Sequence, residues 1–138
     1  MSRIFSIARR AALVAAALLC AACAGGDGPG PGTGPQPVPG TALVSLAGAR
    51  VDDRGVLLEV GTGVTDITAG GSATIGAGPV STDGRRRVLV LGVLQGDLLR
   101  LTVSDVKQLP AVQVHEVAAS DGSVRTDLSG YSAQVRAQ

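Results

Sequence analysis

The chain has no tryptophan, one tyrosine, one phenylalanine and one histidine in 138 residues. Each shortage excludes something. Phe5 lies in the first segment, so Tyr131 is the sole aromatic side chain of the remainder, and polysaccharide recognition by stacking lacks its platforms. A single histidine and the absence of cysteine after residue 23 leave too few ligands for a typical zinc site. Both cysteines, Cys20 and Cys23, lie in the first segment, so the body of the protein contains no disulfide and depends on packing. No Gly-x-Ser-x-Gly elbow or comparable nucleophile motif is present.

What is present begins with a tripartite leader. Arg3, Arg9 and Arg10 form a positive head, and Ala11 to Leu19 an apolar run that starts only after Arg10. That run is shorter than the roughly 20 residues needed to cross a bilayer, so residues 1–22 are expected to form a signal helix that is removed. The stretch Leu18-Leu19-Cys20-Ala21-Ala22-Cys23 closes it. This stretch resembles the lipobox of bacterial lipoproteins, with Ala21-Ala22-Cys23 matching the last three positions and Cys20 standing where leucine is usual. The resemblance implies that Cys23 is lipidated and becomes the new N-terminus. Cys20 is the rival acceptor, although bulky Leu19 would then adjoin the cut. An ordinary secretory signal cut near Ala22 or Ala24 is the alternative.

Several acyl chains on one cysteine would make anchoring nearly permanent, since each buried methylene contributes about 0.8 kcal/mol. Ala24, rather than Asp, follows Cys23. In bacteria that sort lipoproteins by this position, the resemblance implies the outer membrane. The expected location is therefore the bacterial cell envelope, with the membrane as a partner reached through the N-terminal lipid.

Ala24 to Gly40 is a run of glycine and proline with almost nothing to bury, and residues 23–40 read as a lipidated cysteine on a disordered tether. Its reach is about 50 Å as polyproline II and roughly 20–25 Å as a flexible coil. Glycine does not recur at every third position, which excludes a collagen helix. Loss of the leader removes three arginines and leaves nine basic against eleven acidic residues. A mildly acidic chain without a clustered basic face carries no footprint for nucleic acid.

Residues 41–138 are expected to form one domain. Thirty of its residues are valine, leucine or isoleucine, enough to build a core, and the abundance of valine favours strands over helices. Short apolar or alternating segments separated by glycine-containing turns predict strands at 42–46, 56–60, 64–68, 72–75, 87–91, 97–103, 112–117 and 131–135. Val88 to Leu91 is apolar throughout, which predicts a strand buried on both faces or at a sheet centre. Leu99, Leu101 and Val103 share one face, Arg100 and Thr102 the other. Asp83-Gly84, Gly96 and Asp121-Gly122 supply turn chemistry. The fold class is all-β, an antiparallel β-sandwich of jelly-roll or Greek-key kind.

The segments Gly55–Gly70, Gly96–Val103, Val114–Val124 and Gly130–Val135 resemble the strand order of cohesin-type modules, jelly-roll sandwiches related to one group of carbohydrate-binding modules. A glycine before an amphipathic strand, an Asp-Gly hairpin and a terminal Gly-x-x-x-x-Val strand carry the likeness. It spans most of residues 42–135 and implies a cohesin-like domain.

Candidate chemistry is sparse. His115 is expected in a strand on the face of Gln113 and Val117, and a partly exposed strand histidine is its ordinary role. Asp52, Asp53, Asp66, Asp97, Asp105, Asp121 and Asp127 fall mostly at turns, where carboxylates cap backbone amides. Asp52-Asp53 and Asp121-Gly122-Ser123 offer hard oxygen ligands for calcium but lack an EF-hand register. No metal or cofactor is expected. Arg85-Arg86-Arg87 is the one concentration of charge. It is expected either to protect a sheet edge and pair with nearby acids, or to contact a protein partner or anionic polymer. Taken together, the residues predict a non-catalytic binding, adhesion or structural module. A small hydrolase using carboxylates or His115, and a carbohydrate-binding module, are the alternatives.

Overall fold

Alternation of aliphatic and polar residues produces eight strands, β1 (Gly40–Ala47), β2 (Asp53–Val60), β3 (Val64–Ala69), β4 (Thr74–Val80), β5 (Arg86–Leu91), β6 (Asp97–Val103), β7 (Val112–Ala119) and β8 (Ser132–Ala137). The structure is a computed structural model that describes residues 34–138. The signal helix, Cys20, Cys23 and most of the tether lie outside the described residues.

The strands form two antiparallel four-stranded sheets, sheet A in the order β3-β6-β1-β8 and sheet B in the order β4-β5-β2-β7. Only the β4–β5 connection stays within one sheet. The chain crosses between the sheets at every other connection, so each sheet is stitched from strands distant in sequence. Asp83-Gly84 lies in that single hairpin, and Gly84 takes the positive φ of +79° that a turn glycine supplies.

The interior is aliphatic. Ala42, Val44 and Leu46 of β1 and Leu99, Leu101 and Val103 of β6 meet Val56, Leu58 and Val60 of β2 and Val88 and Val90 of β5, all buried. Each such leucine or valine contributes about 1.5–3 kcal/mol on burial. Leu98 is buried as well, although alternation would turn it to solvent. A bulge explains it: Val44 pairs with Leu99 and Ser45 with Asp97, which leaves Leu98 as the extra residue.

Three expectations need correction. The strand expected at 72–75 is β4, which continues through Gly76, Gly78 and Pro79; β4 is an edge strand with a bulge between Ala77 and Val80, so proline costs no ladder bond there. β5 does lie inside its sheet, between β4 and β2, but it is not buried on both faces, because Val88 and Val90 point inward while Leu89 and Leu91 are 41% and 48% exposed. His115 does not share a face with Val117. Leu57 pairs with Glu116 and Leu58 with Val114, so His115 is the extra residue of a bulge, and Val117 turns into the core while His115 stays outside.

The compact unit begins at Pro37. Val38 donates its amide to Asp105 Oδ1 at 3.1 Å, and its carbonyl accepts from Val106 N at 2.7 Å, so the chain is held before β1 starts. The β2–β3, β4–β5 and β6–β7 loops gather at the same pole, where Ser104 N donates to Gly63 O at 2.9 Å.

Candidate functional site

The outer faces of the two sheets differ. On sheet A, Leu43 points outward but is only 7% exposed, because Arg100 and Arg136 stand directly opposite it on either side and their stems cover it. Arg136 is fixed in turn by Asp97, with 2.9 Å contacts to both carboxylate oxygens. Thr102 and Gln134 continue the polar surface.

Sheet B has no such cover. Pairing aligns Thr74, Leu91, Gly55 and Ala118 in one row across its outer face, and Val124 extends the row through a bridge to Ala118. The next row holds Gly76, Leu89, Leu57 and Glu116. Leu89, Leu91 and Val124 are exposed beside glycine and alanine, so a flat aliphatic field faces solvent. A contiguous apolar patch of this kind marks an interaction surface more often than scattered exposed residues do.

The third row is ionic. Arg87 stands opposite Glu59, with Nε 3.8 Å from Oε2; Arg85 Nη1 donates to Glu59 Oε1 at 3.0 Å, and His115 Nε2 lies 3.5 Å from Oε2. The Glu59 side chain is 17% exposed beneath arginines that are half to two-thirds exposed. Arg85 is braced further by Asp83 at 3.3 Å. Glu59 thus carries two guanidinium groups at the margin of the aliphatic field. Beyond this margin, at the chain-entering pole, Glu59, Asp83, Arg85 and Asp105 also line an open groove of about 470 Å³.

The arginine run therefore divides. Arg85 and Arg87 border the outer face of sheet B, whereas Arg86 turns to the other side, donates Nε to Gly78 O at 2.6 Å and lines a cavity of about 70 Å³ with Val60, Val64 and Ile67. The alternation of a strand that begins at Arg86 separates them. All three nevertheless line one open groove of about 370 Å³ with Gly78, Pro79 and Ser81, so the run stays together at that rim although its side chains leave the strand on opposite sides.

Asp53 forms a second constellation, at the opposite pole. Its carboxylate has no solvent exposure and accepts from Arg50 N and Tyr131 Oη at 2.8 Å each and from Arg125 Nε at 2.9 Å and Nη2 at 2.8 Å. Arg125 reaches Asp52 as well, at 2.6 Å. The first loop and both ends of the β7–β8 segment are thereby joined through one acid. Asp121 and Asp127 act locally, accepting from Ser123 N and Oγ and from Ser129 N, whereas Asp105 accepts both from Lys107 N and from the distant Val38 N. Among the described residues no group of three His, Cys, Asp or Glu side chains converges to hold a metal.

These bonds set the acid and alkaline limits of the fold. Burial, the largest influence on Asp53, would raise its carboxyl, but the Arg50 amide, Arg125 and the Tyr131 hydroxyl together outweigh it and hold it below the ordinary 3.8. Asp52 is lowered by its bond to Arg125, Asp105 by the amides of Lys107 and Val38, and Asp121 by Ser123. A lowered carboxyl stabilises the fold fully above its unfolded value and loses that contribution as pH falls through the folded value. Tyr131 is shifted the other way, raised from 10.0 by burial and then by the adjacent Asp53 carboxylate, so its contribution is lost as pH rises through the folded value. The urea midpoint is expected to be flat between about pH 5 and 9 and to fall on both sides. A midpoint at about pH 3 equal to that at neutrality would refute the assignment.

The aliphatic field was missed from sequence because Leu89 and Leu91 read as interior. The available signal was Arg86-Arg87 at the head of the same strand, since a strand with charge at both parities is not buried on both faces. Comparisons with protein-family models, with curated proteins and with solved structures returned no match for this chain.

Proposed function

We propose that the protein is a lipid-anchored, non-catalytic module of the bacterial cell envelope, a sandwich that docks a protein through the outer face of sheet B. The observation that carries the docking role is the uncovered field of Leu57, Leu89, Leu91 and Val124 beside the Arg85–Glu59–Arg87 margin. An apolar centre excludes water, and a charged rim gives register and discriminates between partners. The anchor rests on Ala21-Ala22-Cys23 and the Gly/Pro tether that follows, and the outer membrane on Ala24. The cohesin-like character belongs to the same proposal and rests on the patterning of residues 42–135.

Metabolic labelling with a palmitate analogue tests the anchor in cells producing the whole chain. The label is expected on the wild type and on Cys20→Ala, and is expected to disappear in Cys23→Ala. Label that survives Cys23→Ala but not Cys20→Ala would move the site to the rival cysteine, and an unlabelled wild type would end the lipoprotein reading.

A further inference from the structure

The rows on the outer face of sheet B have a property beyond being apolar. A two-fold axis parallel to the strands, lying in the plane above the gap between β5 and β2, would set β5 of one copy over β2 of the other and β4 over β7. Each row then faces the same row of its mate. Leu89 meets Leu57, Leu91 meets the Gly55 position, which the mate's own Leu91 and Ala118 already flank and fill with aliphatic surface, and Arg87 meets Glu59, each contact occurring twice. In the outer columns Thr74 meets Ala118, and Glu116 meets Gly76, where nothing lies within 4 Å of a Cβ position and the carboxylate keeps its water.

We infer that the occupant of this face is a second copy of the same chain, packed sheet on sheet about that axis. Aliphatic surface opposes aliphatic surface, arginine opposes glutamate, and the arrangement is isologous, as a closed dimer requires. Two sheets in face-to-face contact keep their strands within about 30° of one another, so the register survives the twist. Arg87 is free to make the exchange, because its contact with its own Glu59 is the long one at 3.8 Å and its side chain is 65% exposed.

The geometry also sets the strength. Four strands about 4.8 Å apart and three rows about 7 Å apart cover roughly 400 Å² on each copy, or about 800 Å² in total. That is below the roughly 1,200 Å² of a stable interface, so the free protein associates weakly. The axis parallel to the strands sends both chains into the dimer from the same pole. With both tethers rooted in one membrane, as the proposed function holds, the copies are confined to a layer no deeper than the tether's reach and present the same pole to it, which raises their local concentration and favours pairing there.

Residues 37–138 contain both sheets and the whole interior, so this unit carries the test without the lipid. Sedimentation over a concentration series to about 1 mM is expected to show reversible monomer–dimer exchange, and Leu89→Asp to weaken it more than about tenfold while the thermal melt stays within a few degrees. Arg87→Glu alone and Glu59→Lys alone are each expected to be monomeric, whereas an equimolar mixture re-forms a heterodimer, because each mutant then presents the charge the other lacks in both symmetry-related pairs. A wild type that is monomeric throughout the series, association unaffected by Leu89→Asp, or a mixture that stays monomeric would overturn the dimer. None of these outcomes touches the anchor, which the palmitate label decides separately.

Discussion

Replacing Asp53 with alanine is expected to lower stability by about 3–5 kcal/mol, the usual result of removing one partner from a buried ion pair. The loss comes from what stays behind. Arg125, whose side chain is 19% exposed, would keep a charge aimed into a site that no longer neutralises it, and the Tyr131 hydroxyl and the Arg50 amide would lose their acceptor. For a unit of this size the melting temperature should fall by roughly 15–30 °C. Asp53→Asn keeps an acceptor oxygen and the shape, and is expected to lose less. Asp52→Ala is the control: Asp52 bonds the same arginine, but its side chain is 51% exposed and solvent replaces the lost contact. Thermal and urea unfolding followed by circular dichroism measures all three. A fall of less than about 1 kcal/mol in Asp53→Ala would show that the network is incidental to the fold.

The eight strands were legible because aliphatic residues recur with the period of a strand and glycine separates them. Sequence pattern placed Leu99, Leu101 and Val103 on one face, and the structure has all three in the interior. Asp83-Gly84 was readable as a hairpin for the same local reason. What period alone does not reveal is a shift of parity. The bulges at Leu98 and His115 each insert one residue, and after each the inward and outward sets exchange. A continuous run such as Val88 to Leu91 has no parity to read, so its exposed half was invisible until β4 and β2 were paired beside it.

The Asp53 network illustrates a second limit. Aspartate before a turn suggests a cap, and Asp121 and Asp127 are caps and nothing more. Asp53 looks the same in sequence but is bonded to Arg125 and Tyr131, more than 70 residues away. Only the crossing of β2, β7 and β8 between the sheets brings those groups together. The lone aromatic residue of the body was the available signal: in a chain that otherwise packs with aliphatic side chains, a single tyrosine is retained where its hydroxyl has a partner.

Gly48→Ala and Gly96→Ala are expected to differ sharply, although both glycines adopt nearly the same left-handed backbone, with φ of +82° and +78°. At Gly96 nothing lies within 4 Å of a Cβ position, so alanine there meets only the conformational penalty of about 1–2 kcal/mol. At Gly48 the added carbon would overlap the carbonyl oxygen of Gly130 and press on the Tyr131 backbone. That obstacle is main chain, so no rotamer relieves it. Moving Gly130 would also displace Tyr131 from Asp53, since the two residues are adjacent and the hydroxyl bond is only 2.8 Å long. Gly48→Ala should therefore cost on the order of 4 kcal/mol or more, a large share of the roughly 5–15 kcal/mol that holds a domain of this size together. It should also couple to Asp53→Ala: once the acid is absent, moving Tyr131 loses less, and the double variant should be less destabilised than the sum of the two singles. Equal losses at Gly48 and Gly96 would show that the close approach of the first loop to Gly130 is not a constraint on the fold, and strict additivity would separate it from the network around Asp53.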